Sequence, residues 1–227
     1  CGGRPVELLR QAVDSIRTQT LGAFTVILVK HDDVDLTSIV GDLSGRIESF
    51  VEVEALGGHR AETLIAGLGM IETEFFAILD DDDFWLSDHI ESLFSAAATA
   101  DPAFDVVYSG TVAVARTPTE VGIDLYWNRN IFTFGLEQHL SRVVDVTKAF
   151  MSNCFVARTA LLPPDLDSLS GLETAEDSLL VAILVRNKRP VFSYKATAFF
   201  RRGYDGASDW QTHASRSRDL DALRLRT

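Results

Sequence analysis

Cysteine is scarce in this chain of 227 residues, which holds only Cys1 and Cys154. Two cysteines cannot form the framework of bridges that stabilises small secreted domains. The scarcity therefore favours a reducing compartment, and we expect a cytoplasmic protein. Long apolar stretches are lacking too, since none approaches the roughly 18 residues of a membrane-spanning helix. No signal peptide is visible, so the sequence predicts no intrinsic membrane span.

Positive charge is also in short supply. The chain carries 21 Lys and Arg against 33 Asp and Glu, a formal net charge of −12. Such a surface repels polyanions, which argues against non-specific binding to nucleic acid or to anionic membranes. Metal-ligand spacing is absent among the five histidines, so solvated or capping roles fit them better than zinc binding. These histidines are His31, His59, His89, His139 and His213.

Hydrophobic residues make up 46% of the chain, which is ordinary for a globular protein with a sizeable core. We expect a single domain over residues 1–227. Up to about residue 100, predicted strands and helices alternate, which favours an α/β fold with a mixed, mostly parallel sheet flanked by helices. The periodicity predicts helices over 5–20, 60–71, 88–99 and about 175–187, and strands at 24–29, 47–53, 75–79, 105–114, 152–157 and 190–200.

An acidic run follows the most apolar of these strands. Phe75 to Leu79 reaches directly into four consecutive carboxylates, Asp80 to Asp83. Four like charges repel one another unless a cation or solvent neutralises them. In an open α/β sheet the carboxyl ends of strands bind ligands, and magnesium commonly takes one or two carboxylates plus phosphate oxygens. The pattern therefore favours a metal or phosphate site. The alternative is a solvated acidic turn before a helix capped by Ser87, with Asp88 near the positive end of the helix dipole.

Four segments of the chain occur in an order that is typical of one enzyme family. The opening helix contains Arg4 to Leu9 and ends in a Gln19-Thr20 pair, and Arg60 stands upstream of the acidic run. Asp80 to Trp85 has the form of an Asp-X-Asp metal motif, and an acidic pair follows at Glu176-Asp177. Over nearly the whole chain, the sequence resembles the GT-A glycosyltransferases that use nucleotide sugars, in particular the inverting glycosyltransferase family two.

The resemblance implies a GT-A fold and transfer of a sugar from a nucleoside-diphosphate donor, uridine-linked in our expectation, to a hydroxyl of a glycan, lipid or other acceptor. Asp82 and Asp80 would hold Mg²⁺ or Mn²⁺ against the diphosphate. Asp80 could instead contact the ribose or reach the metal through water, and Asp81 is a further donor-binding candidate. Arg60 would contact a donor phosphate or base carbonyl, or else lie solvated in the first turn of its helix.

By the same resemblance, Asp177 would be the general base that takes the proton of the acceptor hydroxyl. Glu176 is the second catalytic candidate, either as an acceptor-binding group or as the base itself. The run Thr174 to Asp177 is also a capping box before an apolar stretch, and a cap and a base can coexist at a rigid helix end.

The sequence departs from the family pattern in two places. The family's first strand would lie before Cys1, so we expect this chain to be part of a longer one. The acids after the second strand are displaced by about two positions, and Asp32 or Asp33 would substitute for them in donor binding. We expect residues from about 1 to 100 to form the nucleotide-sugar half and residues from about 101 to 227 the acceptor half.

Two other functions compete with glycosyl transfer. A phosphatase of the haloacid dehalogenase type also places Asp-X-Asp after a buried strand, but it typically has Thr or Val where this chain has Phe84. A degenerate GT-A module would bind a nucleotide sugar or a partner without turnover, which the missing first strand and the displaced acids would favour.

Overall fold

The computed structural model describes residues 5–30, 39, 47–55, 60–100, 103–114, 123–126, 151–170, 176–186 and 188–201. The described helices are α1 (Val6–Arg17), α2 (Arg60–Leu68), α3 (His89–Ala100) and α4 (Glu176–Val185). The described strands are β1 (Phe24–Lys30), β2 (Ile47–Glu54), β3 (Phe75–Phe76), β4 (Phe84–Trp85), β5 (Val106–Val114), β6 (Ile123–Tyr126), β7 (Phe155–Arg158) and β8 (Val191–Arg201). Most of the predicted elements are thereby confirmed to within a few residues at each end.

The strands form two separate sheets. β1 pairs with β2 in a two-stranded parallel sheet. The larger sheet has the order β3-β7-β5-β8-β4, and β6 pairs with β5. The two longest ladders, β1–β2 and β5–β8, are parallel, whereas the shorter ladders β3–β7, β4–β8, β5–β6 and β5–β7 are antiparallel. The predicted mixed α/β sheet is therefore confirmed, and most of its antiparallel ladders involve β5, β6 or β7, after the change of rhythm near residue 100.

One predicted strand is shorter than expected. The pattern predicts a strand over 75–79, but the ladder covers only Phe75 and Phe76, which pair with Arg158 and Ala157 of β7. Residues 77–79 are half-buried and lie outside any described ladder. An apolar run shows that a segment is buried, whereas a ladder also requires a neighbouring strand at the right register.

The main core lies between the larger sheet and helices α3 and α4. Its most deeply buried side chains include Leu93 of α3, Tyr108 of β5, Phe155 of β7 and Leu184 of α4. A second, smaller cluster joins α1 to β1 through Leu9, Val13, Leu28 and Ile39. Among the described helices, none is both long and apolar enough to cross a bilayer.

Gln19 ties the end of α1 to the segment that follows the acidic run. Its side chain is fully buried. The amide nitrogen donates to the carbonyls of Ser15, at 2.8 Å, and of Leu86, at 2.7 Å, while the amide oxygen accepts from the backbone N–H of Ile90 at 3.0 Å. That oxygen satisfies an N–H of the first turn of α3, which has no partner within its own helix. This contact gives a physical reason for a glutamine at the end of the opening helix.

Candidate active site

A cavity of about 690 Å³ brings together polar residues that lie far apart in the sequence. Arg60 at the start of α2, Asp80 and Asp81 after β3, and Glu176 and Asp177 at the start of α4 all line it. The rest of the lining is mainly apolar. A concave, largely apolar pocket with a few convergent charged groups is the usual form of a ligand site.

Arg60 and Glu176 form an ion pair inside this cavity. The Arg60 Nε donates to Glu176 Oε1 at 2.7 Å, with the arginine side chain 57% exposed and the glutamate side chain 4% exposed. Burial opposes the charge of Arg60, but the carboxylates of Glu176, Asp80 and Asp177 outweigh it and raise the guanidinium pKa. The guanidinium of Arg60 is therefore positively charged, and it lines the cavity together with these carboxylates.

The two carboxylate oxygens of Glu176 differ in their hydrogen bonding. Oε1 accepts from Arg60, whereas Oε2 is buried and has no hydrogen-bond partner among the described residues. Burial raises the pKa of this carboxyl, Arg60 lowers it, and the neighbouring Asp177 raises it again. Because an unsatisfied buried carboxylate oxygen is costly, a hydroxyl or amide of a bound ligand would be stabilised there.

Asp177 is half-buried and lies one residue further along α4. Its Oδ1 accepts from the backbone N–H of Ser178 at 2.6 Å and faces the Ser178 hydroxyl at 3.3 Å. The carboxylate is thus held in a fixed orientation at a helix start. Thr174, the other member of the predicted capping box, lies outside the described residues.

The four aspartates of the acidic run have different surroundings. Asp80, Asp81 and Asp82 are half-buried, and the first two line the cavity. Asp83 is buried, and its two oxygens accept from the Asn153 side-chain amide at 2.7 Å and from the Arg201 backbone N–H at 3.0 Å. Asp83 therefore fastens the run to the sheet, and a turn from the Asp83 N–H to the Asp80 carbonyl, 3.1 Å, closes the run on itself.

The family model for glycosyl transferase family 2 matches residues 4–156, about two thirds of the chain. The chain belongs to glycosyl transferase family 2. Membership in this family argues against the phosphatase hypothesis. A search among curated proteins found no match.

Solved structures similar to this family 2 chain include S. aureus TarS 1-349. Its complex with UDP has a TM-score of 0.62 at 18% identity, over 86% of this chain and 57% of that one. Its complex with UDP-GlcNAc has a TM-score of 0.59 at 22% identity, over 87% of this chain and 55% of that one. A longer TarS chain has a TM-score of 0.58 at 18% identity over 86% of this chain, which spans 34% of it. These likenesses confirm the predicted GT-A fold.

Of the residues predicted for this family 2 site, five meet in the cavity: Arg60, Asp80, Asp81, Glu176 and Asp177. Asp82 is half-buried beside them and does not line the cavity. Asp32 and Asp33 lie outside the described residues. The structure thus brings most of the predicted residues together, while their roles stay predictions.

The carboxylates of the acidic run could supply only part of the ligand shell of the metal that the resemblance implies. Within the described parts of the chain, no three His, Cys, Asp or Glu side chains are grouped so as to hold a metal ion. Magnesium in phosphate-binding sites needs only one or two carboxylates, since phosphate oxygens and water complete its shell. The half-buried carboxylates of Asp80, Asp81 and Asp82 suit that kind of site and do not suit an all-protein cage.

Sequence reasoning missed Asn153 and His89 as structural residues of this region. Asn153 is buried, donates its side-chain amide to Asp83, and accepts from the Trp85 indole N–H through its backbone carbonyl at 2.6 Å. His89, expected to be solvated or to cap a helix, is fully buried; its Nδ1 lies 2.7 Å from the Thr197 hydroxyl and its ring stacks on Trp85. A polar residue directly before the apolar run of β7 is the one signal for Asn153.

Proposed function

We propose that this glycosyltransferase is an inverting enzyme that moves a sugar, a hexose in our expectation, from a uridine-diphosphate donor to an acceptor hydroxyl. The observation that supports this most directly is the convergence of Arg60, Asp80 and Asp177 on one cavity, because transfer needs a phosphate-binding side and a base side within reach of each other. The TarS complexes with UDP and UDP-GlcNAc support a uridine-linked donor.

The phosphate side is formed by Arg60 and the acidic run. The exposed guanidinium of Arg60 would contact the diphosphate or the base, while Asp80 and Asp82, with Asp81 nearby, would hold Mg²⁺ or Mn²⁺. When bound, that cation neutralises the charge that builds up on the departing diphosphate. Asp32 and Asp33 stay donor-binding candidates for the ribose and base.

The acceptor side is formed by the start of α4. A carboxylate oxygen of Asp177 takes the proton of the acceptor hydroxyl, and the resulting oxygen attacks the anomeric carbon. The bond from that carbon to the diphosphate oxygen breaks on the opposite face, which inverts the configuration. Glu176 holds Arg60 through Oε1 and offers Oε2 to an acceptor hydroxyl.

Calorimetry and a product assay together test this proposal. UDP should bind in the presence of Mn²⁺ and much more weakly without it, and Asp82→Ala should abolish the metal-dependent part. Asp177→Asn should leave UDP binding unchanged while transfer falls by about 10²-fold or more. Unchanged turnover in Asp177→Asn would remove this residue from the mechanism. Binding of UDP-sugars without any product would instead support the degenerate GT-A module.

A further inference from the structure

Glu176 differs from the other acids of the cavity in its burial. Its side chain is only 4% exposed. The other described acids that line the cavity are half-buried or exposed, and they are Asp80, Asp81, Asp177 and Glu74. Water therefore contributes little to the stability of a negative charge on Glu176, and burial favours the neutral form of a carboxyl. The charge of Glu176 depends on its protein neighbours.

Arg60 and Asp177 act on that charge in opposite directions. The Arg60 Nε donates to Oε1 of Glu176 at 2.7 Å, while Oε2 is buried and has no hydrogen-bond partner among the described residues. Burial raises the pKa of Glu176, Arg60 lowers it, and Asp177 raises it. The ion pair with Arg60 is thus the main contact that favours the ionised form.

The segments packed against α4 bring few further charges to this place. α2 carries Glu62, which does not line the cavity, and the turn over 166–169 carries Asp167, which is exposed. The turn Ser152–Cys154 carries no Asp, Glu, Lys or Arg. Within the described part of the chain, Arg60 is therefore the one cation that stabilises the carboxylate of Glu176.

The guanidinium of Arg60 can bind a phosphate without leaving Glu176. Its bond to Glu176 uses Nε, so both Nη groups are left for phosphate oxygens, which arginine commonly binds in pairs. A diphosphate bound there brings negative charge close to Glu176 and shares its counterion. Both effects favour the neutral carboxyl, because like charges disfavour ionisation and a shared cation stabilises each anion less. The metal of the proposed function would be held by Asp80 and Asp82, whose own charges offset it.

We propose that binding of a nucleoside diphosphate is coupled to the uptake of one proton from solvent by Oε2 of Glu176. The new O–H bond forms on the oxygen that lacks a partner among the described residues, and Oε1 continues to accept from Arg60. Neutral Glu176 then donates a hydrogen bond into the cavity, and Asp177 is left as the carboxylate of the acidic pair. Neighbouring acids in different protonation states are a common division of acid and base roles. This inference rests on the proposed contact between Arg60 and the donor phosphate.

Calorimetry in buffers of different ionisation enthalpy counts the protons that are taken up when UDP binds in the presence of Mg²⁺. Glu176→Gln keeps an oxygen for Arg60 but cannot take up a proton. We expect the unchanged chain to take up at least about 0.3 proton more per UDP than Glu176→Gln, at some pH between about 6 and 8.5. Protons exchanged by UDP or by metal ligands are common to both proteins and cancel in this difference.

The pH dependence of UDP binding provides a second measurement. The complex holds a proton that the free protein does not, so affinity should be highest at low pH and should fall as the pH rises through the pKa of Glu176 in the complex. From about pH 6 to 8.5, the Kd of the unchanged chain should rise about 5-fold or more relative to the Kd of Glu176→Gln.

Glu62→Gln is the matched control for both measurements. Glu62 is a half-buried glutamate on the same helix as Arg60, its Oε2 is also buried without a partner among the described residues, and it does not line the cavity. Glu62→Gln should therefore keep the full proton uptake and the full pH dependence. Loss of both in this variant would show that the effect does not belong to Glu176.

The remaining outcomes separate this inference from the proposed function. UDP binding with equal proton uptake and parallel pH profiles in the unchanged chain and in Glu176→Gln would overturn this inference alone. Uptake that persists in Glu176→Gln but is lost in Asp177→Asn would place the proton on Asp177 and would also overturn it. Absence of UDP binding at every pH would overturn the proposed donor as well.

Discussion

At the scale of single residues, the ion pair between Arg60 and Glu176 distinguishes the role of Glu176 from that of Asp177, the other acid at the start of α4. Glu176 Oε1 accepts from Arg60 Nε at 2.7 Å, so Glu176 orients the guanidinium toward the cavity. Glu176→Gln keeps an oxygen for this bond, whereas Glu176→Ala removes it. We expect donor Kd to rise about 10-fold in Glu176→Ala, the equivalent of about 1.4 kcal/mol, and clearly less in Glu176→Gln. Calorimetry with UDP and Mn²⁺ measures both, with Glu72→Ala, an exposed residue outside the cavity lining, as a surface control. If Glu176→Gln instead abolished transfer with UDP binding intact, Glu176 would be the base in place of Asp177.

His89 is the second residue with a measurable signature. Burial lowers its pKa to about 3, with only partial compensation from Asp88, whereas an unfolded histidine titrates near 6.5. Between these values the unfolded chain binds a proton that the folded chain does not. Stability contributed by neutral His89 is therefore complete above pH 6.5 and is lost as the pH falls toward 3, by up to about 1.4 kcal/mol per pH unit. Urea unfolding from pH 7 to 4 measures this slope. His89→Gln should flatten it, and Thr197→Val, which keeps the imidazole, should not. An equal slope in His89→Gln would assign the acid sensitivity to other groups.

At the scale of elements, the acidic run is held by a clamp between Asp83, which precedes β4, and Asn153, which precedes β7. Asp83→Ala would leave the Arg201 N–H without its carboxylate acceptor and would leave the buried Asn153 amide with only the Phe199 carbonyl, at 3.2 Å. We expect it to cost about 2–4 kcal/mol in urea unfolding and to weaken metal-dependent UDP binding. The exchanged pair, Asp83→Asn with Asn153→Asp, can reform one amide–carboxylate bond in the opposite sense. It should be more stable than the sum of its single variants implies, by about 0.5–3 kcal/mol. Strict additivity would show that the two side chains do not act together.

The contact between Asp83 and Asn153 also illustrates which features of the structure could be predicted from the sequence and which could not. The periodicity of apolar residues predicted α1, β1, β2, α3 and β5, because the residues buried on one face of a helix or strand recur at a regular spacing in the sequence. The acidic run and the pair in α4 could be selected because their charges interrupt apolar stretches. Asn153 could not be selected, since its partner lies 70 residues away and nothing local marks the contact. The early end of the β3 ladder, before residues 77–79, could not be predicted either. Pairing in a sheet depends on a neighbouring strand, which the residues of the segment itself do not specify.

At the scale of the whole molecule, two sheets with two apolar clusters predict two stages of unfolding. The smaller cluster joins α1 to β1 through Leu9, Val13 and Leu28, whereas the larger one contains Leu184 and the main sheet. The smaller unit buries fewer apolar side chains, so it should open at lower free energy.

Leu28→Ala should lower the opening free energy of β1 and β2 amides while leaving β5 and β8 nearly unchanged. Leu184→Ala should lower the global free energy of unfolding by about 2–5 kcal/mol. Native-state hydrogen exchange across a urea series separates these effects. The two-stage view fails if Leu28→Ala lowers protection equally in both sheets, since one cooperative unit would then include both clusters. Gln19→Ala provides a further comparison, because Gln19 bonds α1 to Leu86 and Ile90 and its loss should lower the opening free energy of the smaller unit.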